Sequence, residues 1–355
     1  MKMNLKTGIA LSLLPQIILV KWLGSHTDWI ETYYSNGIYP FVSNTFRVLF
    51  GWIPFSVGDL LYTALIILAI GYLYKNGRSL LNNKLRFLRD ITMVASIAYF
   101  TFHFMWGFNY YREPIVKKLQ LKETKDYQEL VDFTRQLIEK TNEIQVRIIN
   151  DSTKRIDIPY SQKEQFNMTL VGYEQLTEKH PFLAYKRPSI KTSLFSKALT
   201  YMGYAGYLNP FTNEAQVNGL LPSFRFPVVT GHEIGHQLGY SAENETNFIG
   251  YLVTANNEDM YFKYAAYSYA LGYCLNDVRR GDSVVFDALL SKLNGGVKLN
   301  FQEMSAFWNQ YENPLEPVFK SIFNSFLKAN NQAQGIQSYN AVVSLLIAYH
   351  KQYPL

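Results

Sequence analysis

The segment Gly231-His232-Glu233-Ile234-Gly235-His236-Gln237 holds the residues best suited to do chemistry, and it uses two of the chain's six histidines. It is an H-E-x-x-H pattern. On a helix, His232 and His236 stand four residues apart, so both imidazoles project from one face. That spacing suits two ligands of a single tetrahedral zinc ion, one per chain, with Glu233 beside the metal as a base for bound water. A catalytic zinc keeps three protein ligands and one open position. The third ligand is therefore sought just downstream, in Leu238-Gly239-Tyr240-Ser241-Ala242-Glu243-Asn244-Glu245-Thr246-Asn247-Phe248.

Gly239 falls where a left-handed cap would end the motif helix and turn the chain. Ser241 is a suitable N-cap for a second helix. Glu243 then lies in that helix's first turn, within reach of the metal. Asn247, four residues on, shares its face and can orient a ligand by hydrogen bond. Glu245 is the alternative third ligand. It sits about 200° around the helix from Glu243, so the two cannot both face the metal. The bland reading of these acids is complementation of the helix dipole.

The chemistry expected is hydrolysis of a peptide bond in a peptide or protein substrate. Zinc lowers the pKa of its water and polarises a carbonyl, and Glu233 moves the proton to the leaving amine. A second electrophile is needed. Tyr261, Tyr264, Tyr267 and Tyr339 are candidates among 27 tyrosines, for each of which core packing is the commoner role. The strand segment 203–218 offers an edge for an extended peptide. Two other functions fit the same residues: a non-catalytic sensor or scaffold that keeps zinc for structure, and a zinc amidase acting on the cell wall. Glu233 favours catalysis, since a structural site needs no base.

Those elements sit in a chain of 355 residues with 48% hydrophobic and only 17% charged residues. So low a charged share points to membrane segments. Three apolar stretches run over 7–23, 56–74 and 91–111, and each is read as a transmembrane helix. Asp59 is expected at the interface. Trp106, Tyr110 and Tyr111, followed by Arg112, read as an interfacial aromatic belt. Lys75, Arg78, Lys84, Arg86 and Arg89 place the second connection in the cytoplasm, together with Lys2 and Lys6. Three spans then put everything after Arg112 outside the cytoplasm. The single cysteine, Cys274, excludes an internal disulfide and a cysteine-based zinc site. The net charge of +6 comes with no basic block interleaved with aromatics, which argues against nucleic acid.

From 113 onward the pattern is that of one soluble domain. Helices are expected over 123–147, 160–178, 228–238, 244–255, 259–279, 284–293, 301–311, 315–329 and 337–350. Short strands are expected within 189–219, with a turn at Asn209–Asn213. Gly295-Gly296 and Asn313-Pro314 read as breaks. The fold class is thus α-rich α+β: a three-helix membrane region over 1–112, in contact with the lipid bilayer, and a zincin-like domain over 113–355.

The motif followed by a Glu on a second helix resembles the gluzincin metallopeptidases. Glu243-Asn244-Glu245-Thr246-Asn247 is similar to their E-x-x-A-D or E-x-E-A-N helix, with Thr246 in place of the usual Ala. The resemblance implies His232, His236 and Glu243 as zinc ligands and Asn247 as their neighbour. Gly239 is similar to the metzincin turn, but Ala242 stands where a third His would be. The whole chain also resembles an uncharacterised bacterial family with three N-terminal spans and a C-terminal H-E-x-x-H domain. The matching stretches are Trp106 to Arg112, Asn209 to Asn218, the motif itself, and Phe326-Leu327-Lys328 through Ser338-Tyr339. That resemblance implies a multi-pass protein of the bacterial cell membrane with an extracytoplasmic metallopeptidase domain.

Overall fold

The computed structural model of the chain describes residues 4–123, 126–333, 335 and 341–355, with side chains throughout except at 78–82. Lys2 and Tyr339 lie outside the described residues, as does the side chain of Arg78.

The chain opens with α1 (Leu5–Leu11) and α2 (Leu13–Gly24), separated by a turn at Ser12. A π-helical segment, Ile30–Ile38, runs directly into α3 (Tyr39–Phe50). Two long helices follow, α4 (Val57–Asn82) and α5 (Lys84–Met105). Two stretches, Leu5–Gly24 and Val57–Gly77, are long and apolar enough to cross a membrane. Among the described residues that is two rather than the three expected.

The third expected span fails for a local reason. Its helix ends at Met105, and Gly107–Tyr111 form a 3-10 turn instead. The same turn overturns the aromatic-belt reading. Trp106, Tyr110 and Tyr111 are buried together with Tyr34, Tyr39 and Leu327 in a second core. Asp59 is not a solvated interfacial residue either. It is fully buried at the start of α4, where its carboxylate accepts from the Leu194 N–H (2.7 Å), the Ser193 hydroxyl (3.0 Å) and the Tyr207 hydroxyl.

The remainder is mostly helical: α6 (Tyr127–Ile149), α7 (Gln162–Lys179), α8 (Ser196–Met202), α9 (Phe226–Gln237), α10 (Glu243–Asn256), α11 (Met260–Gly281), α12 (Ser283–Ser291), α13 (Gly295–Gln310), α14 (Glu316–Ala329) and α15 (Val342–Gln352). The expected helices are present with shifted ends. The largest shift is in α13, which starts at Gly295, where a break was expected, six residues before the predicted start at 301. Helix α8 was not expected, because its seven residues lie in a stretch rich in Ser, Thr and Tyr. Asp126 caps α6 through the Gln128 and Glu129 N–H groups, and Ser161 and Glu164 form a capping box on α7.

Three short strands form one sheet in the order β1-β3-β2: β1 (Ile190–Thr192), β2 (Gly206–Asn209) and β3 (Glu214–Val217). β3 is parallel to β1 and antiparallel to β2. The expected turn at Asn209–Asn213 joins β2 to β3, with Asn213 at φ 51°. This leaves β2 at the sheet edge. The main core joins α6, α7, α9, α10, α11 and α15, with Leu137, Leu176, Ile234, Phe248, Tyr264 and Leu346 fully shielded or nearly so. Each such side chain contributes roughly 1.5–3 kcal/mol.

Candidate metal centre

Helix α9 carries His232, Glu233 and His236, whose ligand atoms all lie within 4.8 Å of one another, and this buried group could hold a metal ion. The helix stops as the sequence predicts. The Tyr240 N–H reaches back to the Gly235 carbonyl at 3.2 Å and the Gly239 N–H to the His236 carbonyl at 3.0 Å, with Gly239 at φ +82°. This is a Schellman motif. The same turn carries the Tyr240 carbonyl to within 2.7 Å of His236 Nδ1. A carbonyl only accepts, so Nδ1 donates, and Nε2 is the ring atom left to face a metal.

Helix α10 begins at Glu243 and crosses α9 closely. A Cβ at Gly250 would sit 2.6 Å from the Val228 carbonyl and 3.0 Å from the His232 backbone nitrogen. No other residue allows that approach. It brings Glu243 Oε2 to 3.3 Å from His232 Nε2 and 3.7 Å from His236 Nε2. Asn247 Oδ1 meets His232 Nδ1 at 2.9 Å. Both Nδ1 atoms are therefore engaged, and both Nε2 atoms face the Glu243 carboxylate.

Glu243 Oε2 and Glu233 Oε2 are buried and have no hydrogen-bond partner. Around a tetrahedral ion with bonds of about 2.0–2.1 Å, neighbouring ligand atoms stand about 3.3 Å apart. The 3.3 and 3.7 Å separations of Glu243 Oε2 from the two imidazoles are near that spacing, so these residues could hold such an ion. Burial disfavours charge on Glu243, but the two imidazoles beside it outweigh this and hold its carboxyl well below the usual range. Glu233 is pushed up to about 7, first by burial, against the pull of His232 and His236 and with the push of Glu243.

Of the other sequence candidates, Glu245 is buried on a different face. Its Oε1 accepts the Ile115 N–H at 2.6 Å, and burial raises its carboxyl to about 7. Ser241 does not cap α10. The N-cap position is Ala242, and the Ser241 hydroxyl donates to the Asn109 carbonyl at 2.9 Å. Tyr264 donates to Asn300, and Tyr261 packs on Tyr160. Tyr267 packs on Tyr251.

Two tyrosines near the site escaped sequence reasoning. The Tyr269 hydroxyl donates to Asn247 Oδ1 at 2.6 Å, and Tyr273 lies 3.5 Å from Asn247 Nδ2. Their i, i+4 spacing on α11 was the available signal. Arg225 covers the Tyr269 ring at 4.4 Å.

The first 112 residues also supply parts of the centre. The Trp106 indole N–H donates to the His236 carbonyl at 3.0 Å, and the Tyr39 hydroxyl donates to the Gln237 carbonyl at 2.8 Å. Arg112 donates to the Leu238 carbonyl at 3.2 Å and lies over the Tyr240 ring. The carbonyls that end α9 are thus satisfied from the N-terminal region.

Comparison with curated proteins and with solved structures yields no match. A family model does match, over residues 34–347, a stretch that includes α3, the Trp106–Arg112 turn, the sheet and both helices of the centre. The chain belongs to the family described as protein of unknown function (DUF3810).

Proposed function

We propose that this protein is a membrane-anchored zinc metallopeptidase with a zincin-like domain. His232, His236 and Glu243 hold the metal, and Glu233 acts as general base. The observation that carries this reading is the convergence of three potential ligand atoms, His232 Nε2, His236 Nε2 and Glu243 Oε2, beside the orphaned Glu233 Oε2. Bound zinc would activate water and polarise a carbonyl. Glu233, buried beside the proposed ligands with its Oε2 unpartnered, is placed to accept and return a proton. His232 and His236 are fixed in the metal-binding tautomer by Asn247 and by the Tyr240 carbonyl.

Edge strand β2 supports a peptide substrate. A Cβ at Gly206 would lie 2.6 Å from Glu233 Oε1, so the edge backbone passes directly over the proposed base. An extended chain added to that edge would present its carbonyls there. The basic residues Lys75, Lys84, Arg86 and Arg89 assign the α4–α5 connection to the cytoplasmic side. Helix α5 packs back along α1, α2 and α4, so Trp106 at its far end, and the centre with it, sit at the opposite end of these helices, which we place outside the cytoplasm.

The test is metal content and turnover in the detergent-purified full chain. Wild type should carry one zinc and cleave members of a peptide library. Glu233→Gln should keep the zinc and lose at least roughly 100-fold in turnover. A wild-type chain without bound zinc would overturn the reading.

A further inference from the structure

Helix α3 is built inside out. Tyr39, Ser43 and Arg47, spaced four apart, are its buried face. Tyr39 and Ser43 grip the end of α9 and Asn213, and the Arg47 guanidinium lies 4.8 Å over the Tyr185 ring. The outward face is apolar: Ile38, Phe41 (75% exposed), Val48, Leu49 and Trp52 (78% exposed). Its one polar residue, Thr45, turns its hydroxyl onto the Phe41 carbonyl at 2.8 Å. Between Ile38 and Phe55 the sole formal charge is Arg47, and it points inward. Soluble helices show the opposite pattern.

Helix α14 shows a related arrangement on another side. Phe319, Phe323 and Leu327 face the protein, and Leu315, Val318 and Ile322 (62% exposed) are left uncovered. The stripe runs on to Phe326, which packs against Phe102 at the end of α5 (5.8 Å). Lys320, Ser321 and Lys328 lie on its third face.

We infer that the outward faces of α3 and α14 are bilayer-contact surfaces, lying in the interface of the leaflet nearest the metal centre. The occupant follows from connectivity. α3 is tied at one end to Gly24 and at the other to Val57, the ends of the two stretches long enough to cross a membrane, so it stays close to lipid. Phe326 packs on Phe102, so the α14 stripe abuts the end of α5, the helix that follows the second of those stretches. Apolar side chains with internally satisfied polar groups are what the acyl boundary accepts. The metal helix then rides about one helix diameter, roughly 10 Å, from the lipid. This inference rests on the membrane reading of α1–α2 and α4, and not on the peptidase reading.

The test uses the full chain, with Cys274→Ser, in phosphatidylcholine–phosphatidylglycerol vesicles. Single nitroxide labels are placed through Phe41→Cys, Val48→Cys and Ile322→Cys, with Ser321→Cys and Lys328→Cys as references. Co-flotation and the zinc content of each variant are measured first. Oxygen should relax the labels at 41, 48 and 322 several-fold more than a water-soluble nickel chelate does, with the order reversed at 321 and 328. Greater nickel access at 41, 48 and 322 would overturn the inference and leave the spans intact. Shielding from both reagents there would overturn it in favour of a protein partner, such as a second copy. Failure of every variant to float would remove the spans and the inference together.

Discussion

Asn247 Oδ1 meets His232 Nδ1 at 2.9 Å and also accepts the Tyr269 hydroxyl at 2.6 Å. One amide oxygen thereby fixes an imidazole and is itself held by a phenol. Such partners set the tautomer and the ring angle of a metal-binding histidine. Asn247→Ala should weaken zinc binding by roughly 10- to 100-fold. Tyr269→Phe should weaken it less, because Asn247 keeps its place on α10. Competition against a chromophoric chelator measures both. Unchanged affinity in Asn247→Ala would show that His232 needs no orienting partner.

Glu243 and Glu245 offer a direct contrast. Glu243→Ala removes one of three converging ligand atoms and should abolish stoichiometric zinc. Glu245→Gln should leave zinc content intact, since Glu245 serves the Ile115 N–H instead. Elemental analysis of the two purified variants checks this. Zinc lost from Glu245→Gln and kept in Glu243→Ala would reverse the assignment.

The motif helix, its stop at Gly239, and the approach of Glu243 and Asn247 were legible because each is set by local rules: i, i+4 spacing, a left-handed cap and a first-turn acid. Tyr269 was not legible, since its role depends on how α11 lies across α10. Nor were Tyr39 and Trp106, whose targets are carbonyls 198 and 130 residues away. The third span was misjudged because hydropathy does not register a helix end. The chain stays apolar through Tyr111, yet the helix stops at Met105 so that the turn can reach α9.

Gly250 tests how closely α9 and α10 must cross. A methyl group there would lie 2.6 Å from the Val228 carbonyl. Backbone cannot yield as a side chain would, so Gly250→Ala should cost about 1–3 kcal/mol in stability. It should also lower zinc affinity, because it pushes Glu243 away from the imidazoles. Thermal unfolding with and without chelator separates the two effects. An unfolding midpoint within error of wild type in both states would argue against the tight crossing.

Glu31 gives the fold an acid-sensitive joint. It pairs with Arg112 at 3.1 Å and with Lys118 at 2.6 Å. Burial opposes its charge, but these two cations outweigh it and lower the carboxyl from 4.5 to about 2. A carboxyl lowered in the folded state contributes stability above its unfolded value. The contribution is therefore complete above pH 4.5 and is lost as the pH falls from 4.5 toward 2. Glu31→Gln should remove that slope and cost about 3 kcal/mol at neutral pH, because Arg112 is left buried without its partner. Unfolding midpoints recorded from pH 7 down to 3 would reveal it, and parallel curves for the variant and wild type would exclude Glu31 as the source.

The carbonyls of His236 and Gln237 accept the Trp106 indole N–H and the Tyr39 hydroxyl. Both donors come from the first 112 residues, so the metal helix is finished by the N-terminal region. Tyr39→Phe keeps the ring and removes its hydroxyl, which also accepts from the Asn213 amide at 3.1 Å, and Trp106→Phe keeps an aromatic ring while removing the indole donor. Each should leave a buried carbonyl short of a partner, at about 1–3 kcal/mol. The His236 carbonyl keeps the Gly239 N–H, so Trp106→Phe should fall at the lower end. Gln237 retains only a longer contact from the Ser43 hydroxyl, at 3.3 Å, so Tyr39→Phe should cost more. Hydrogen exchange at the Gly239 and Tyr240 amides provides the readout, because those amides close the Schellman turn. Faster exchange there, with unchanged exchange in α6, is the expected pattern. Equal protection in wild type and both variants would mean that the turn stands without help from the N-terminal region.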